Sequence, residues 1–568
     1  ITLSADQQTL FVANQNGGLD IFDVSSVYPN PNPQLVGSYS TAGETFDVAL
    51  SSDETLAFLA DGPNGKLVLD VSNTSDIKFV GNHATTGSDT DGNVYDVAVA
   101  ADDAATFTVT HRSENDPGKA GLDIFSLVTQ GISFGGTVDG GYALSTNGTT
   151  SFAGVVGGTD SLASLTTVGG TVSVGGDVTT TGNQTFGDDV VLLGDTALTA
   201  GAGAISLGAG GKVVGTNGNE TLTLGDVNQT GDVTLGGGSE VTLGGLNIGA
   251  GNFNLAISAG ASQAVTVSSP VDILSTGNLT VTTATNEIDS VVTFAGGLNA
   301  TAPSEVKLDG IIETNSAPIN LSHVRYTGDG SQPSFLWTGD ASDYGNNFTG
   351  NQIEIASLDT GIGMLVYHGG ETGALTVQGD ANIGVGLSGT GIKGWGDLNI
   401  NGNTTVSSNV SVDGDQNYAE NVTLTGDVNF EGNTAKFTNG VLGGDHDLTF
   451  NFTQTATVHS FQNVANFTSI GNAEVNGTVY TTGFQKYEGN VALNGDTILA
   501  ATTVEFAGSA TGNSHNLKLI PTHSSSFIKL DGIQSSGINE LTILGDLHLA
   551  GNLNANTIDI QGNTTLLG

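Results

Sequence analysis

A fourteen-residue pattern occurs three times with every spacing kept, and it restricts this chain to a repetitive architecture. The copies are GNQTFGDDVVLLGD from Gly182, GDQNYAENVTLTGD from Gly414 and GFQKYEGNVALNGD from Gly483. Each reads Gly-x-Gln-x-(Phe/Tyr)-x-x-x-Val-x-Leu-x-Gly-Asp, with Gln184/Phe186/Val190/Leu192, Gln416/Tyr418/Val422/Leu424 and Gln485/Tyr487/Val491/Leu493 at the core positions. Copies 232 and 69 residues apart point to one structural unit used repeatedly. Val and Leu lie two apart, so both face one side of a short strand, and Gly-Asp then turns the chain. The pattern predicts one rung of a stacked β architecture.

From about residue 131 the texture is Gly, Thr, Asn and Val with few charges. Short cassettes recur there: Gly231-Asp232-Val233-Thr234-Leu235, Gly277-Asn278-Leu279-Thr280-Val281, Gly396-Asp397-Leu398-Asn399-Ile400 and Gly545-Asp546-Leu547-His548-Leu549. Alternating strands this short fit a parallel β-helix whose apolar side stacks inward. Gly and Asn are expected at corners that need positive φ. The usual solenoid repeat is roughly 20 residues. SEVKLDGI from Ser304 and SFIKLDGI from Ser526 are a second duplication. Over about 165–568 the rung motif resembles the filamentous-haemagglutinin family of secreted bacterial adhesins. That resemblance implies a long right-handed β-helix, surface exposure and an adhesive or fibre-forming role.

The first ~130 residues carry another repeat. SADQQTLFVAN, SSDETLAFLAD and AADDAATFTVT align through Asp6, Asp53 and Asp102, at offsets of 47 and 49. ETFDVAL and NVYDVAV, from Glu44 and Asn93, lie between them. Several short strands in a period near 48 is the arithmetic of β-propeller blades. This segment resembles the LVIVD-type repeats of bacterial surface propellers. About three blades are visible, fewer than a closed propeller needs, so either blades are missing N-terminally or the three sheets are capped some other way. The fold class is therefore all-β: propeller-like blades over 1–130, then a long parallel β-helix over 131–410, interrupted near 325–350, and 411–568. The chain begins and ends inside strand patterns, which reads as a mature fragment or the ordered part of something longer.

Composition narrows the partners. Twelve Lys plus Arg against 57 Asp plus Glu give a formal charge of −45, which repels nucleic-acid phosphates and anionic membranes. Calcium is the implied counterion, because it prefers carboxylate and carbonyl oxygen. Cysteine is absent, which excludes disulfides, thiolate zinc sites and cysteine nucleophiles. No apolar run approaches the ~18 residues of a membrane span.

Few residues suggest chemistry. Asp89, Asp91 and Asn93 look like the head of a calcium loop, against the plainer reading of a solvated turn. Asp445-His446-Asp447 is read as a surface turn, and Asp188, Asp189, Asp413 and Asp415 as corner carboxylates that bind calcium weakly or keep edges soluble. His323, Arg325 and Asp329 form the densest mixed-charge cluster, read as a loop salt bridge rather than a lyase or hydrolase site. Phe335, Trp337, Tyr344 and Phe348 crowd one interruption of the rung pattern and suggest a glycan or partner contact, or a cap over the core. The expectation is a non-enzymatic, extracellular, bacterial cell-surface protein, self-associating into a fibre, sheath or layer. A glycan-binding adhesin and a β-helical polysaccharide lyase or hydrolase are the alternatives.

Overall fold

The computed structural model describes residues 1–25, 33–83, 93–99, 105–110, 121–126, 131–208, 210–237, 240–284, 290–329, 331–338, 352–368, 373–523, 527–530 and 537–567. Every regular element among them is a strand. The chain forms two compact units, Ile1–Phe253 and Asn254–Gly568.

The first unit begins with antiparallel blades. β1 (Thr2–Leu3), β2 (Thr9–Asn14), β3 (Gly18–Asp23) and β4 (Gln34–Tyr39) form one sheet in chain order. β5 (Asp47–Leu50), β6 (Leu56–Ala60), β7 (Lys66–Asp70) and β8 (Lys78–His83) form the second. Phe11, Leu19, Ile21, Val48, Leu59 and Leu69 pack between them. The aligned aspartates are turn residues. Asp6 accepts the Ser4 hydroxyl at 2.6 Å and the Gln8 N–H at 2.9 Å, and Asp53 accepts Ser51 at 2.7 Å and the Thr55 N–H at 3.0 Å. These are Asx turns, which bend the chain between the first two strands of a blade. Asp102 lies outside the described residues.

In the third blade β9 (Val94–Val99), β10 (Ala105–Thr110) and β11 (Gly121–Ser126) pair antiparallel. There the pattern changes. After β12 (Ile132–Phe134), β13 (Ala143–Asn147) pairs with β11 in parallel, Gly121 opposite Ala143 and Phe125 opposite Asn147. The third blade thus leads into a parallel solenoid, which from Ser164 on has three strands per coil to the end of the unit. The parallel pairing leaves β11 no bare edge on that side.

The second unit is a parallel β-solenoid throughout. One coil runs through the strands Val422–Leu424, Val428–Gly432 and Ala435–Phe437. The next lays Val441 on Val422, Leu448 on Val428 and Ala456 on Ala435. Some strands bend over a corner and serve two faces. Ile319–Leu321 pairs with Leu298–Ala300, while Val324–Tyr326 of the same strand pairs with Val306–Leu308. Burial alternates along each short strand, so Val, Leu, Ile and Phe face the axis. Aromatic side chains stack coil on coil: Tyr418 on Phe437 at 4.8 Å and Tyr487 on Phe506 at 5.0 Å between ring centroids. Each fully buried large apolar side chain contributes about 1.5–3 kcal/mol.

Candidate functional site

What repeats along the stack is a corner. The structure corrects the one-rung reading of the fourteen-residue motif, which covers two strands and the bend between them, not a coil. Within the second unit, Gln416–Tyr418 lies in the face of Ala435–Phe437 and Val422–Leu424 in the next face. Gln485–Tyr487 lies instead in the face of Leu448–Phe452, reached through Phe467–Ser469, and Val491–Leu493 in the face of Ala473–Val475. Two copies therefore occupy different corners of a three-sided coil. Corners of similar geometry accept the same sequence, so copies need not lie a whole number of coils apart.

Each motif residue has a task between coils. Gln485 is fully buried, and its Nε2 donates to the carbonyls of Val479 at 2.9 Å and Ala500 at 3.0 Å. Those carbonyls belong to successive coils, in which Val479 opposes Leu499 and Tyr480 opposes Ala500. Gln184 repeats this on Val178 at 3.1 Å and Thr199 at 2.8 Å, and Gln416 reaches the Glu431 carbonyl at 2.7 Å. The terminal aspartates do more than turn the chain. Asp195 accepts the Thr221 N–H at 2.8 Å, Asp427 that of Asp447 at 2.9 Å and Asp496 that of Asn516 at 2.9 Å, each one coil on. Asp397 and Asp546 of the short cassettes do the same to Asp415 and Asn563, both at 2.8 Å. The motif glycines have a different cause from the one expected. Gly182, Gly414 and Gly483 have no left-handed φ, but a Cβ on Gly414 would strike the backbone of Gly396 in the coil below. Close approach between coils, not a positive φ, fixes glycine there.

One pin carried no sequence signal. Gln229 is fully buried outside the motif; its Nε2 donates to Gly203 at 2.7 Å and Gly231 at 2.8 Å, and its Oε1 accepts the Ala200 N–H at 3.0 Å. Composition hides it, since a lone Gln among Asn, Asp and Thr reads as surface.

The corner carboxylates singled out for calcium have other partners. Asp188 accepts the Gly169 and Gly170 N–H groups, Asp189 accepts that of Lys212 at 2.8 Å, and Asp415 accepts Asn433 at 2.8 Å and the Thr434 N–H at 3.1 Å. Asp447 binds the Asn466 backbone and amide at 3.1 and 2.8 Å, while His446 stands 3.7 Å from Asp427. Asp89 and Asp91 lie outside the described residues, and the Asn93 amide donates to the Tyr95 hydroxyl at 3.1 Å. Among the described residues no three His, Asp or Glu side chains gather to hold a metal.

The mixed-charge cluster is spread over neighbouring coils. His323 Nδ1 pairs with the Ser357 hydroxyl at 2.7 Å, Arg325 with Glu305 at 3.6 Å, and Asp329 accepts the Ser331 N–H at 2.8 Å. Lys307 also faces Glu305, at 3.7 Å. Burial, and then the charge of Asp329, hold the Asp309 carboxyl above its ordinary range.

Phe335 and Trp337 are enclosed, Trp337 only 2% exposed, with Val291, Ile311 and Val366 around them. Trp395 stands 6.3 Å from Trp337 by ring centroids, with the Lys393 ammonium 5.5 Å above its ring. Tyr344 and Phe348 lie outside the described residues.

The blades hold a carboxyl pair not foreseen. Asp47 of β5 accepts the Val97 N–H of β9 at 3.1 Å. Burial, and then a side-chain hydrogen bond with Asp96, raise the Asp47 pKa above the ordinary carboxylate range, so Asp47 holds its proton to higher pH than a free carboxyl. FDVAL and YDVAV place these aspartates at the same point of successive repeats, which was the available signal.

The chain is an all-β protein in which antiparallel blades lead into parallel β-solenoid. The LVIVD repeat family matches residues 9–41 and 42–85, the first two blades. Among the curated proteins compared, none matches the chain.

Proposed function

We propose that this is a non-enzymatic structural protein of a cell surface, a building block of a fibre, sheath or surface layer. The observation that carries it is the use of polar side chains. Buried Gln485 and exposed Asp195, Asp427 and Asp496, groups of the kind from which a polar site would be built, are hydrogen-bonded instead to the backbone of a neighbouring coil. Coils tied together in this way make each solenoid stretch stiff, and function then lies in what it displays and joins. The resemblance to filamentous haemagglutinins adds surface exposure and adhesion to the reading, and the acidic surface adds calcium bridging between subunits. Electron microscopy and sedimentation of the purified protein at micromolar concentration, with calcium and then with EDTA, test both parts. Filaments or sheets are expected, loosened by EDTA. Monodisperse particles in every condition would overturn the assembly reading, and assemblies indifferent to EDTA the calcium part.

A further inference from the structure

Eight asparagines in this chain are followed directly by glycine. In such a pair the glycine nitrogen can attack the side-chain carbonyl of the asparagine, because no Cβ obstructs it and the backbone turns freely. What limits the attack in a folded chain is whether that nitrogen is already engaged. In five pairs it is: Gly17 donates to Asn14, Gly65 to Gly62 at 3.1 Å, Gly148 to Val168 at 2.7 Å, Gly218 to Gly215 at 3.3 Å and Gly402 to Gly379 at 3.0 Å. Asn476-Gly477 and Asn494-Gly495 lie inside the paired strands Asn472–Thr481 and Val491–Ala501. Asn439-Gly440 is the pair left over. It forms the bend between Ala435–Phe437 and Val441–Leu442, Asn439 is exposed, and among the described residues the Gly440 N–H has no hydrogen-bond partner.

Neighbouring coils hold both members in place. Gly440 has φ +98°, and a Cβ there would strike the Ser460 carbonyl of the next coil, so glycine is required. Its own carbonyl accepts the Val422 N–H at 3.2 Å, from the coil before. Asn439 Nδ2 donates to Oε2 of Glu420 at 2.6 Å, also one coil back. Asn401-Gly402 is the matched case two coils earlier, in the bend between Asp397–Ile400 and Thr404–Val406. The strands on either side pair coil by coil up to Ala435–Phe437 and Val441, so both bends share one corner of the stack. Asn401 is likewise exposed, its amide donating to Gln378 at 3.0 Å. The two sites differ in the glycine nitrogen, engaged at Gly402 and free at Gly440, and in the acceptor, neutral at Gln378 and a carboxylate at Glu420.

We infer that Asn439 is a site of spontaneous deamidation, and that its conversion loosens this corner. The Gly440 nitrogen bonds to Cγ of Asn439 and gives up its proton; the Cγ–Nδ2 bond breaks, and ammonia leaves with that proton. Water then opens the cyclic imide at one of its two carbonyls. Opening at Cγ gives aspartate; opening at the backbone carbon gives isoaspartate, whose main chain is one methylene longer. The sum is asparagine plus water to a carboxylic acid plus ammonia, with nothing oxidised or reduced. Either product replaces an amide that donates to Glu420 with a carboxylate beside it, and like charges set opposite one another destabilise the pairing of neighbouring coils. Isoaspartate also lengthens the backbone where Gly440 packs closely on Ser460. The stack thus carries one corner that weakens with age, independently of whether the chain assembles.

The full chain, held in warm, mildly alkaline buffer and sampled over weeks, is mapped by peptide mass spectrometry together with isoaspartate-specific methylation. Conversion at Asn439 is expected to run roughly fivefold faster than at Asn401, the factor carried by one net hydrogen bond. Equal rates at the two positions, or an Asn439 that outlasts Asn401, would overturn the site. The consequence is read separately in Asn439→Asp. Amide exchange in 416–424 and 435–442 should be faster than in wild type, less so at high salt, and Glu420→Gln in the same chain should restore it. Exchange equal to wild type in Asn439→Asp would overturn the loosening.

Discussion

The Tyr487 hydroxyl donates to Oε1 of Gln485 at 3.1 Å, within the motif and fully buried. Tyr418 does the same to Gln416 at 2.8 Å. Burial raises both phenol pKa values well above the ordinary range, so both remain donors. The copy at Gly182 has Phe186 at this position, and there Gln184 Oε1 is buried without a hydrogen-bond partner.

Phe186→Tyr should therefore stabilise its unit, by about 0.5–1.5 kcal/mol for a hydrogen bond gained. Tyr418→Phe should cost about 1–3 kcal/mol, because it orphans a buried acceptor. Thermal melting of the two variants checks the opposite signs; a Phe186→Tyr variant that melts lower would show that the corner has no room for the hydroxyl.

Gln485→Leu removes both inter-coil bonds and leaves the Val479 and Ala500 carbonyls without them. The cost is expected at about 1–3 kcal/mol for each carbonyl. Solenoids open locally, so amide exchange read by mass spectrometry should quicken in 477–501 before global melting moves.

For the exposed clasps geometry should matter more than charge. Asp427→Asn keeps an acceptor for the Asp447 N–H and should stay close to wild type, while Asp427→Ala should lose about 0.5–1.5 kcal/mol. Denaturation midpoints compare them, and equal losses would mean that the carboxylate charge is what counts.

The Asp47 pair makes the blades pH-sensitive. Its folded pKa is raised, so its contribution is fully present below the unfolded carboxylate pKa of about 3.9 and is lost as pH rises through the folded value. Asp6, Asp23, Asp53 and Asp70 act oppositely: serine hydroxyls, and then backbone N–H groups, lower them, so theirs is lost on acidification. Asp47→Asn isolates the pair. It should melt higher than wild type at neutral pH, with the gap closing in acid; a gap that persists there would assign the effect to packing.

Much of this was legible in the residues. The Val-x-Leu spacing gave strand length and facing, because side-chain direction alternates along any extended chain and only one side can be apolar. The Asp-x-x repeats gave the blades. Gln229 was invisible because a buried polar residue is defined by the backbone groups that converge on it, and those come from Ala200, Gly203 and Gly231. The aromatic residues Phe335 and Trp337 were visible as a cluster, but their sequence could not show that they are enclosed by Val291, Ile311 and Val366.

By itself the sequence determined the local conformation: short strands, tight corners, Asx turns, and which side of each strand is apolar. Those follow from interactions a few residues long. Tertiary structure decided which coil each polar group reaches, that one motif serves different corners, and that the third blade gives its edge to the solenoid. Each of these is a contact between distant segments, and the strand that will lie alongside is not written in the strand itself.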